Sequence, residues 1–309
     1  MVSLSPPKVS ASESRTPAPR RRRPAINRHR TRLGLLYSAP MALLVVVLFV
    51  IPLILLVWMS FNHWPLIGAS APNGVDSYKA LQDPLFLRAV WFTLKYTVVT
   101  TVVLGLVAFG LALLVQRDRP GVGGFRTIFF LPSAVGLAAT TLLFYGLFQG
   151  DSSPLNQVVE WLGLGHVDWI GSNGSTLGSA VGMITWRFAG FYMLILMTGL
   201  QSIDPELYEA ARIDGANRWQ IMWRVTLPLL RPTLALTMVL SVTGSLLAFD
   251  QFFILTGGRH DTATVVIDIY REAFLSQDLG RAAAVSVATL VVLIVLNLAQ
   301  MRLIRREGR

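Results

Sequence analysis

The sequence predicts an all-α, polytopic membrane protein with six transmembrane helices. Of its 309 residues, 53% are hydrophobic and only 14% are charged, whereas about a quarter of the residues in a soluble domain are charged. The mean hydropathy is +0.55. Six runs are apolar and long enough to cross a bilayer, which takes roughly 20 residues. These runs fall at about 35–60, 89–116, 126–148, 177–200, 229–254 and 282–304.

The distribution of basic residues predicts that both termini lie in the cytoplasm. With the amino terminus inside, 20 of the 27 lysines and arginines fall in the inner segments and six in the outer segments. An excess of Lys and Arg in cytoplasmic loops is the usual topology signal in membrane proteins. Because the net charge of +10 comes from residues dispersed at span ends, it does not indicate a nucleic-acid partner.

Residues 1–33 are predicted to form a disordered, basic cytoplasmic arm. Residues 34–309 are predicted to form one transmembrane domain. The arm is rich in Pro, Ser and Arg and has no apolar period. Its arginines, including 20–23, precede the first span, where they either orient that span or bind anionic lipid headgroups. The first apolar run is predicted to be an uncleaved span, because it lacks the small-residue cleavage site of a signal peptide.

A charged insert between the fourth and fifth spans, residues 206–232, is the most informative stretch of the chain. The residues from Pro205 to Ile213 are good helix formers, and Gly215 can supply the positive φ that ends a helix. Asn217 can then cap the next helix. The insert therefore predicts two short helices around a glycine turn, held at the membrane surface between the fourth and fifth spans.

Within this insert, the sequence resembles the EAA motif of ABC importer permeases, Glu-Ala-Ala-x3-Gly-x9-Ile-x-Leu-Pro. The matching residues are Glu209-Ala210-Ala211, Gly215 and Val225-Thr226-Leu227-Pro228, with Val225 in place of Ile. Later segments are similar to permeases for maltose, glycerol phosphate and related solutes, and the similarity covers about residues 35–305. These segments include Asp250-Gln251-Phe252-Phe253, Ile269-Tyr270 and Leu279-Gly280. The family usually has Gly-Gly-Gly-Pro after the fifth span, where this chain has Gly257-Gly258-Arg259-His260.

The resemblance implies the permease subunit of a binding-protein-dependent, ATP-driven importer that carries a sugar or sugar-like solute across a bacterial-type inner membrane. It implies a second permease subunit, favoured as a sister chain, two ATPase subunits and an extracytoplasmic solute-binding protein. It implies no catalysis, metal or cofactor in this chain, because ATP and Mg are bound by the partner ATPase. The residues implied to couple to that ATPase are Glu209, Ala210, Ala211, Asp214, Gly215, Leu227 and Pro228.

The residues alone leave another interpretation of the insert open, and they exclude one function. The alternative is an amphipathic helix that lies on lipid, with Arg212 and Arg218 toward the headgroups. The excluded function is ATP binding by a Walker A loop, which needs Gly-Lys followed by Ser or Thr. The three lysines, Lys8, Lys79 and Lys95, all follow a residue other than Gly.

Polar residues on the fifth span predict where a solute could pass. Ser241, Gly244 and Ser245 lie at i, i+3 and i+4, which is one face of a helix. Asp250 and Gln251 fall near the outer end of the same span. Small and hydroxyl residues on this face suit either a path for a polar solute or a close-packed seam between helices, and the sequence does not choose between these alternatives.

Arg187 lies near the middle of the fourth span, where burying an arginine costs about 2.5–3.5 kcal/mol on insertion scales. We therefore expect it to face the translocation path or to pair with Asp250, and a structural pair with no transport role is the alternative. The aromatic residues beside it could stack on sugar faces or pack against other helices. They are Trp186, Phe188, Phe191 and Tyr192.

Other functions fit the sequence less well. A permease for another polar solute, such as glycerol phosphate or a polyamine, is the alternative within the same class. An ion-coupled secondary carrier would show paired broken spans with ionisable groups in two repeats, whereas only Arg187 lies deep in a span. A membrane-bound enzyme would need a cluster of catalytic residues, and the four scattered histidines supply neither this nor a metal site.

Overall fold

The computed structural model describes residues 28–117, 119–150 and 153–307, and these ranges are mostly helical. The helices are α1 (Arg28–Val45), α2 (Ile51–Met59), α3 (Pro84–Val115), α4 (Val122–Phe130), α5 (Leu137–Phe148), α6 (Pro154–Trp161), α7 (Asn173–Gln201), α8 (Pro205–Ile213), α9 (Arg218–Ile221), α10 (Leu227–Leu246), α11 (Asp250–Thr256), α12 (Val265–Tyr270) and α13 (Leu279–Glu307). Two short strands, β1 (Asn62–His63) and β2 (Ala71–Pro72), pair in antiparallel fashion.

The predicted all-α membrane architecture is confirmed. Within the described ranges, five helical segments are long and apolar enough to cross a membrane, and a bent helix pair can supply the sixth span. The five are Tyr37–Met59, Pro84–Val115, Asn173–Gln201, Arg218–Thr256 and Leu279–Arg302. The predicted cytoplasmic position of both termini stays a prediction. The predicted disordered arm falls mostly on residues 1–27, which lie outside the described ranges, and α1 already begins at Arg28.

Two of the predicted spans are not continuous helices. The third, predicted at 126–148, consists of the segments Val122–Ala134 and Leu137–Phe148, which meet at 93°. Pro132 lies in the 3₁₀ turn that ends the first segment, and proline removes a backbone donor from the helical ladder. The fifth, predicted at 229–254, ends its main helix at Leu246 and resumes as α11 after three residues. Irregular backbone at membrane depth requires polar partners from the protein.

The chain divides into two compact units, residues 1–53 and residues 54–309. In its described part, the first unit consists of α1, the π-helical turn Val46–Val50 and the first residues of α2. The remaining helices belong to the second unit, which contains every cavity discussed below.

The core of the second unit is built mainly between α3 and α7. On α3, the fully buried Ala108 and Ala112 let α7 pack closely, with Met193 and Leu196 against them. Small residues are the usual means by which membrane helices approach one another. Nearer the other end of α3, a second cluster centres on Phe252 of α11. Phe252 makes edge-to-face contacts with Phe92 and Tyr96, at centroid distances of 4.9 and 4.8 Å.

The long helices begin at residues that satisfy their first backbone donors. The Asp83 carboxylate accepts a hydrogen bond from the Leu85 N–H at 2.9 Å, and Pro84 occupies the first turn of α3. At the start of α7, Ser172 and Ser175 form a reciprocal capping box. Such caps fix where a helix starts, and they set the depth of the side chains along α3 and α7.

Candidate functional site

A polar cavity of about 220 Å³ lies among α3, α7, α10 and α11. It brings together six of the seven residues predicted for a solute path: Tyr192, Ser241, Gly244, Ser245, Asp250 and Gln251. The spacing on the fifth span therefore identified a real common face, although the helix breaks between Ser245 and Asp250. Because the break turns the chain at Leu247, Asp250 and Gln251 line the same cavity as the serines.

The cavity offers hydroxyl and amide groups, together with the Asp250 carboxylate, inside a mostly apolar bundle. Gln251 is only 3% exposed and donates from Nε2 to the Tyr96 hydroxyl at 3.2 Å. Its Oε1 atom has no hydrogen-bond partner among the described residues. Ser241 donates to Thr101 Oγ1 at 3.3 Å. Buried polar atoms are normally paired, so the amide oxygen of Gln251 is an unsatisfied acceptor beside the cavity.

Two lining residues on α3, Tyr96 and Thr100, were not identified from the sequence. A signal for them was present, because they lie at i and i+4 and are polar residues in a long apolar run. Of the aromatic residues singled out on α7, Phe188 and Tyr192 line the cavity. Trp186 instead packs against Phe144, with ring centroids 5.4 Å apart.

Arg187 does not line this cavity, and its guanidinium binds the broken third span. Nε donates to the Val135 carbonyl at 3.0 Å, and Nη2 donates to the same oxygen. Val135 lies at the bend, between the 3₁₀ turn and α5, where no helical N–H reaches its carbonyl. The expected alternative, a pair with Asp250, is not found among the ion pairs of the described residues.

A second contact holds the broken span against α7. Gly190 lies one turn beyond Arg187, and a Cβ at this position would overlap the carbonyl of Phe129 in α4. Arg187 and Gly190 therefore fix the broken span on both sides of Pro132, one through hydrogen bonds and the other through close backbone approach. The guanidinium also lies 4.3 Å from the centroid of the Phe188 ring, so it is tied to the wall of the cavity.

The charged insert folds into two short helices with the predicted turn between them. The Asp204 carboxylate caps α8, with Pro205 in its first turn. Gly215 has a φ of +78°. Asn217 and Gln220 form a capping box at the start of α9. Beyond α9, a π-helical turn at Met222–Thr226 leads directly into α10, so Pro228 falls in the first turn of that helix.

The two faces of α8 differ in their surroundings. Tyr208, Glu209 and Arg212 line a cavity on the side of the bundle, and Tyr208 OH lies 3.5 Å from Thr226 Oγ1. On the other side, Ile213 is 86% exposed and Leu207 is 46% exposed. Ala210 and Asp214 are also exposed. The outward side of α8 therefore presents apolar and charged side chains to its surroundings.

The loop after the fifth span, whose sequence departs from the family pattern, folds into a hydrogen-bonded turn. Gly257 and Gly258 adopt positive φ, as do His260 and Asp261. The Arg271 guanidinium donates to the carbonyls of Gly257 and Gly258, at 3.0 and 3.1 Å. These bonds satisfy the carbonyls that a helix end leaves free, so the Arg-His sequence is compatible with a closed turn.

An acidic cluster follows in the same loop. The Arg281 guanidinium lies 3.5 Å from Glu272 and 3.8 Å from Asp83. Burial raises the pKa of Asp268 to about 6, with a further rise from the Glu272 carboxylate. Burial likewise raises the pKa of Glu272, against the opposing effect of Arg281. This cluster joins α12 and α13 to the start of α3, and it forms a structural element outside the membrane spans.

Comparison with known proteins places this arrangement in a family. Residues 102–309 match the family described as the inner membrane component of binding-protein-dependent transport systems. This match covers more than half of the chain and includes the insert and most of the residues that line the polar cavity. The chain belongs to this permease family. It is therefore a multi-pass inner-membrane subunit of an ABC transporter, which forms the pore and is not the catalytic subunit.

Individual relatives of the permease cover nearly its full length. It is 30% identical to the probable ABC transporter permease protein YurN of Bacillus subtilis, over 84% of this chain and 92% of the relative. It is also 30% identical to the arabinooligosaccharides transport system permease protein AraP of the same organism, over 87% of each chain. The family motif in the insert and the full-length similarity thus agree.

A solved structure shares the fold of the permease. It is the bacterial alginate ABC transporter in complex with an alginate pentasaccharide-bound periplasmic protein. A chain of that complex superposes with a TM-score of 0.79, at 25% identity, over 90% of this permease and 96% of that chain. The similarity supports the assignment as an importer permease with the helical arrangement described above.

Proposed function

We propose that this permease carries a sugar or sugar-like solute into the cell through the polar cavity among α3, α7, α10 and α11. The observation that carries the proposal is the convergence of Tyr192, Ser241, Gly244, Ser245, Asp250 and Gln251 on one cavity inside an apolar bundle. Hydroxyl, amide and aromatic groups are the usual partners of a neutral, hydroxyl-rich ligand. The names of the arabinooligosaccharide and alginate relatives support the same solute class.

The remaining subunits of the importer supply the energy and the solute. A second permease subunit, favoured as a sister chain, completes the pore, and two ATPase subunits bind ATP and Mg. An extracytoplasmic binding protein delivers the solute to the outer side. The alginate structure, which includes its periplasmic protein, supports the part of the binding protein in this arrangement. We propose that ATP and Mg are bound by those ATPase subunits and not by this chain.

The insert is proposed to couple the permease to the ATPase. The exposed face of α8, which includes Ala210, Ile213 and Asp214, would enter a cleft on the ATPase, with Ala211 allowing close packing. Gly215 sets the angle between α8 and α9, and Leu227 and Pro228 begin α10. Glu209 lines the cavity on the bundle side of α8, and we propose that its carboxylate offers an acceptor to the ATPase.

The path is tested by filling the cavity from within. The Cβ of a residue at position 244 would have no atom within 4 Å, so Gly244→Leu places a side chain in the cavity without a backbone clash. In the importer reconstituted with its ATPases and binding protein, we expect solute uptake to fall at least about tenfold. ATP hydrolysis by the same complex should persist.

The matched control for the path is Gly146→Leu, a position on α5 that is also open and does not line the cavity. This variant should retain uptake. If the Gly244→Leu importer assembles and transports at the normal rate, the cavity is not the path.

Coupling to the ATPase is tested at Gly215, where the effect of backbone conformation can be separated from the effect of side-chain size. A valine is strained at a φ of +78°, at a cost of roughly 1–3 kcal/mol, whereas asparagine tolerates this region. Both side chains enter open space. We expect Gly215→Val to lose ATPase subunits on purification and to lose uptake, and Gly215→Asn to retain both. Retention of ATPase and uptake by the valine variant would disprove the coupling role of the turn.

A further inference from the structure

A second cavity, larger than the polar one, lies where α3 and α7 end and α8 and α9 begin. Its volume is about 1150 Å³. Four arginines line it, Arg117, Arg119, Arg212 and Arg218, together with a single carboxylate among the described lining residues, Glu209. Asp118, between the first two arginines in sequence, lies outside the described residues. A cavity with this surplus of arginine is suited to an anion, because guanidinium groups bind phosphate in bidentate geometry.

An apolar groove of about 640 Å³ adjoins the arginine cavity. The two share Leu113 and Met222 as lining residues, so they lie side by side. Trp219 and Trp223, with ring centroids 5.5 Å apart, flank the groove near the arginines. Tryptophan is enriched at the membrane–water interface, and its position here marks where the charged and apolar parts of the surface meet.

The groove follows α3 toward the middle of the bundle and is lined almost entirely by apolar side chains. The lining includes Val102, Gly105, Leu106 and Phe109 on one helix. Its far end reaches Tyr192 and Ser241, which also line the polar cavity. A sugar would find few hydrogen-bond partners along this surface, whereas a hydrocarbon chain would find dispersion contacts throughout.

We propose that the arginine cavity and the groove together bind one anionic phospholipid, with its phosphate among the arginines and an acyl chain in the groove. The two parts are adjacent, so a single ligand that fills both is anionic at one end and apolar at the other. A soluble anion would fill only the cavity, and an acidic segment of the ATPase would leave the groove empty. Basic pockets beside transmembrane helices are known to select anionic headgroups. The proposal does not depend on the solute or on the coupling role of α8.

The headgroup is tested by measuring lipid binding to the full-length chain in its purified, assembled transporter. Native mass spectrometry would compare phosphatidylglycerol with phosphatidylcholine of the same acyl chains. We expect phosphatidylglycerol to bind at least about tenfold more tightly, and the double variant R212Q/R218Q to lose that preference. The matched control is Arg302→Gln, an exposed arginine near the carboxyl end of α13, which should retain it.

If the double variant does not assemble, Arg119→Gln makes the same comparison from outside the insert. Equal binding of the two lipids by the unmodified protein would overturn the proposal. Displacement of phosphatidylglycerol by an equal concentration of inorganic phosphate would also overturn the proposal, since the site would then recognise only the anion. Lipid binding that occurs only after removal of the ATPase subunits would assign the cavity to the ATPase.

The acyl chain is tested by filling the groove. A Cβ at Gly105 would have no atom within 4 Å, and the same holds at Gly110 on the same helix. Only Gly105 lines the groove. We expect Gly105→Phe to weaken phosphatidylglycerol binding at least about fivefold and Gly110→Phe to leave it unchanged. Unchanged lipid binding by Gly105→Phe, with or without loss of solute uptake, would overturn the placement of the acyl chain.

Discussion

Replacing Arg187 with methionine is expected to destabilise the permease and to lower uptake. The guanidinium provides both hydrogen bonds to the Val135 carbonyl at the bend of the third span. An unpaired buried acceptor costs about 1–3 kcal/mol, and water is not available at membrane depth to replace the donors. A loss of this size corresponds to roughly a 5–150-fold change in an equilibrium constant. The loss of stability is measured by thermal unfolding in detergent, and the loss of transport by solute uptake after reconstitution.

Two further variants separate the hydrogen bonds from the charge alone. Arg187→Lys keeps the charge but presents a single donor group in place of the guanidinium fork, so we expect an intermediate melting temperature. Arg302→Met removes an exposed arginine and should leave stability unchanged. If Arg187→Met unfolds at the normal temperature and loses uptake all the same, then Arg187 acts on the solute and not on the bend.

The second large effect is expected from Gly190→Ala. A Cβ at this position would overlap the Phe129 carbonyl and crowd the Phe130 amide, both of which are backbone atoms. Because backbone cannot rotate away as a side chain does, α4 and α7 must separate, which costs about 1–3 kcal/mol or more. We expect a lower melting temperature and a smaller yield of assembled transporter.

The matched control for Gly190 is Gly182→Ala on the same helix. A Cβ at Gly182 would have no atom within 4 Å. Since alanine is the better helix former, by up to about 1 kcal/mol, this variant should be as stable as the unmodified protein or slightly more stable. Equal stability of the two variants would show that the close approach of Phe129 to α7 is not required.

Much of the fold and part of the site could be predicted from the sequence, because they depend on local patterns. Apolar run length predicted the spans, and the capping residues and Gly215 predicted the insert. The polar face of Ser241, Gly244 and Ser245 depends only on helical periodicity. These features need no knowledge of which helices are neighbours.

The features that could not be predicted are contacts between distant segments. Val135 is 52 residues from Arg187, and nothing in the sequence around either residue predicts their contact. Pro132 and Gly136 lie within the third predicted span, but they do not by themselves predict a 93° bend with a carbonyl to satisfy. The lining by Tyr96 and Thr100 likewise depends on how α3 packs against α7 and α11.

The segments that join the insert to the membrane spans are short. Three residues separate the end of α7 at Gln201 from the start of α8 at Pro205, and α9 continues into α10 through a π-helical turn. The helices on either side of the insert, α7 and α10, carry Tyr192, Ser241 and Gly244 at the cavity. A displacement applied to α8 and α9 is therefore expected to reach the cavity walls through α7 and α10, with Pro232 as the point in α10 where the helical hydrogen bonds are interrupted.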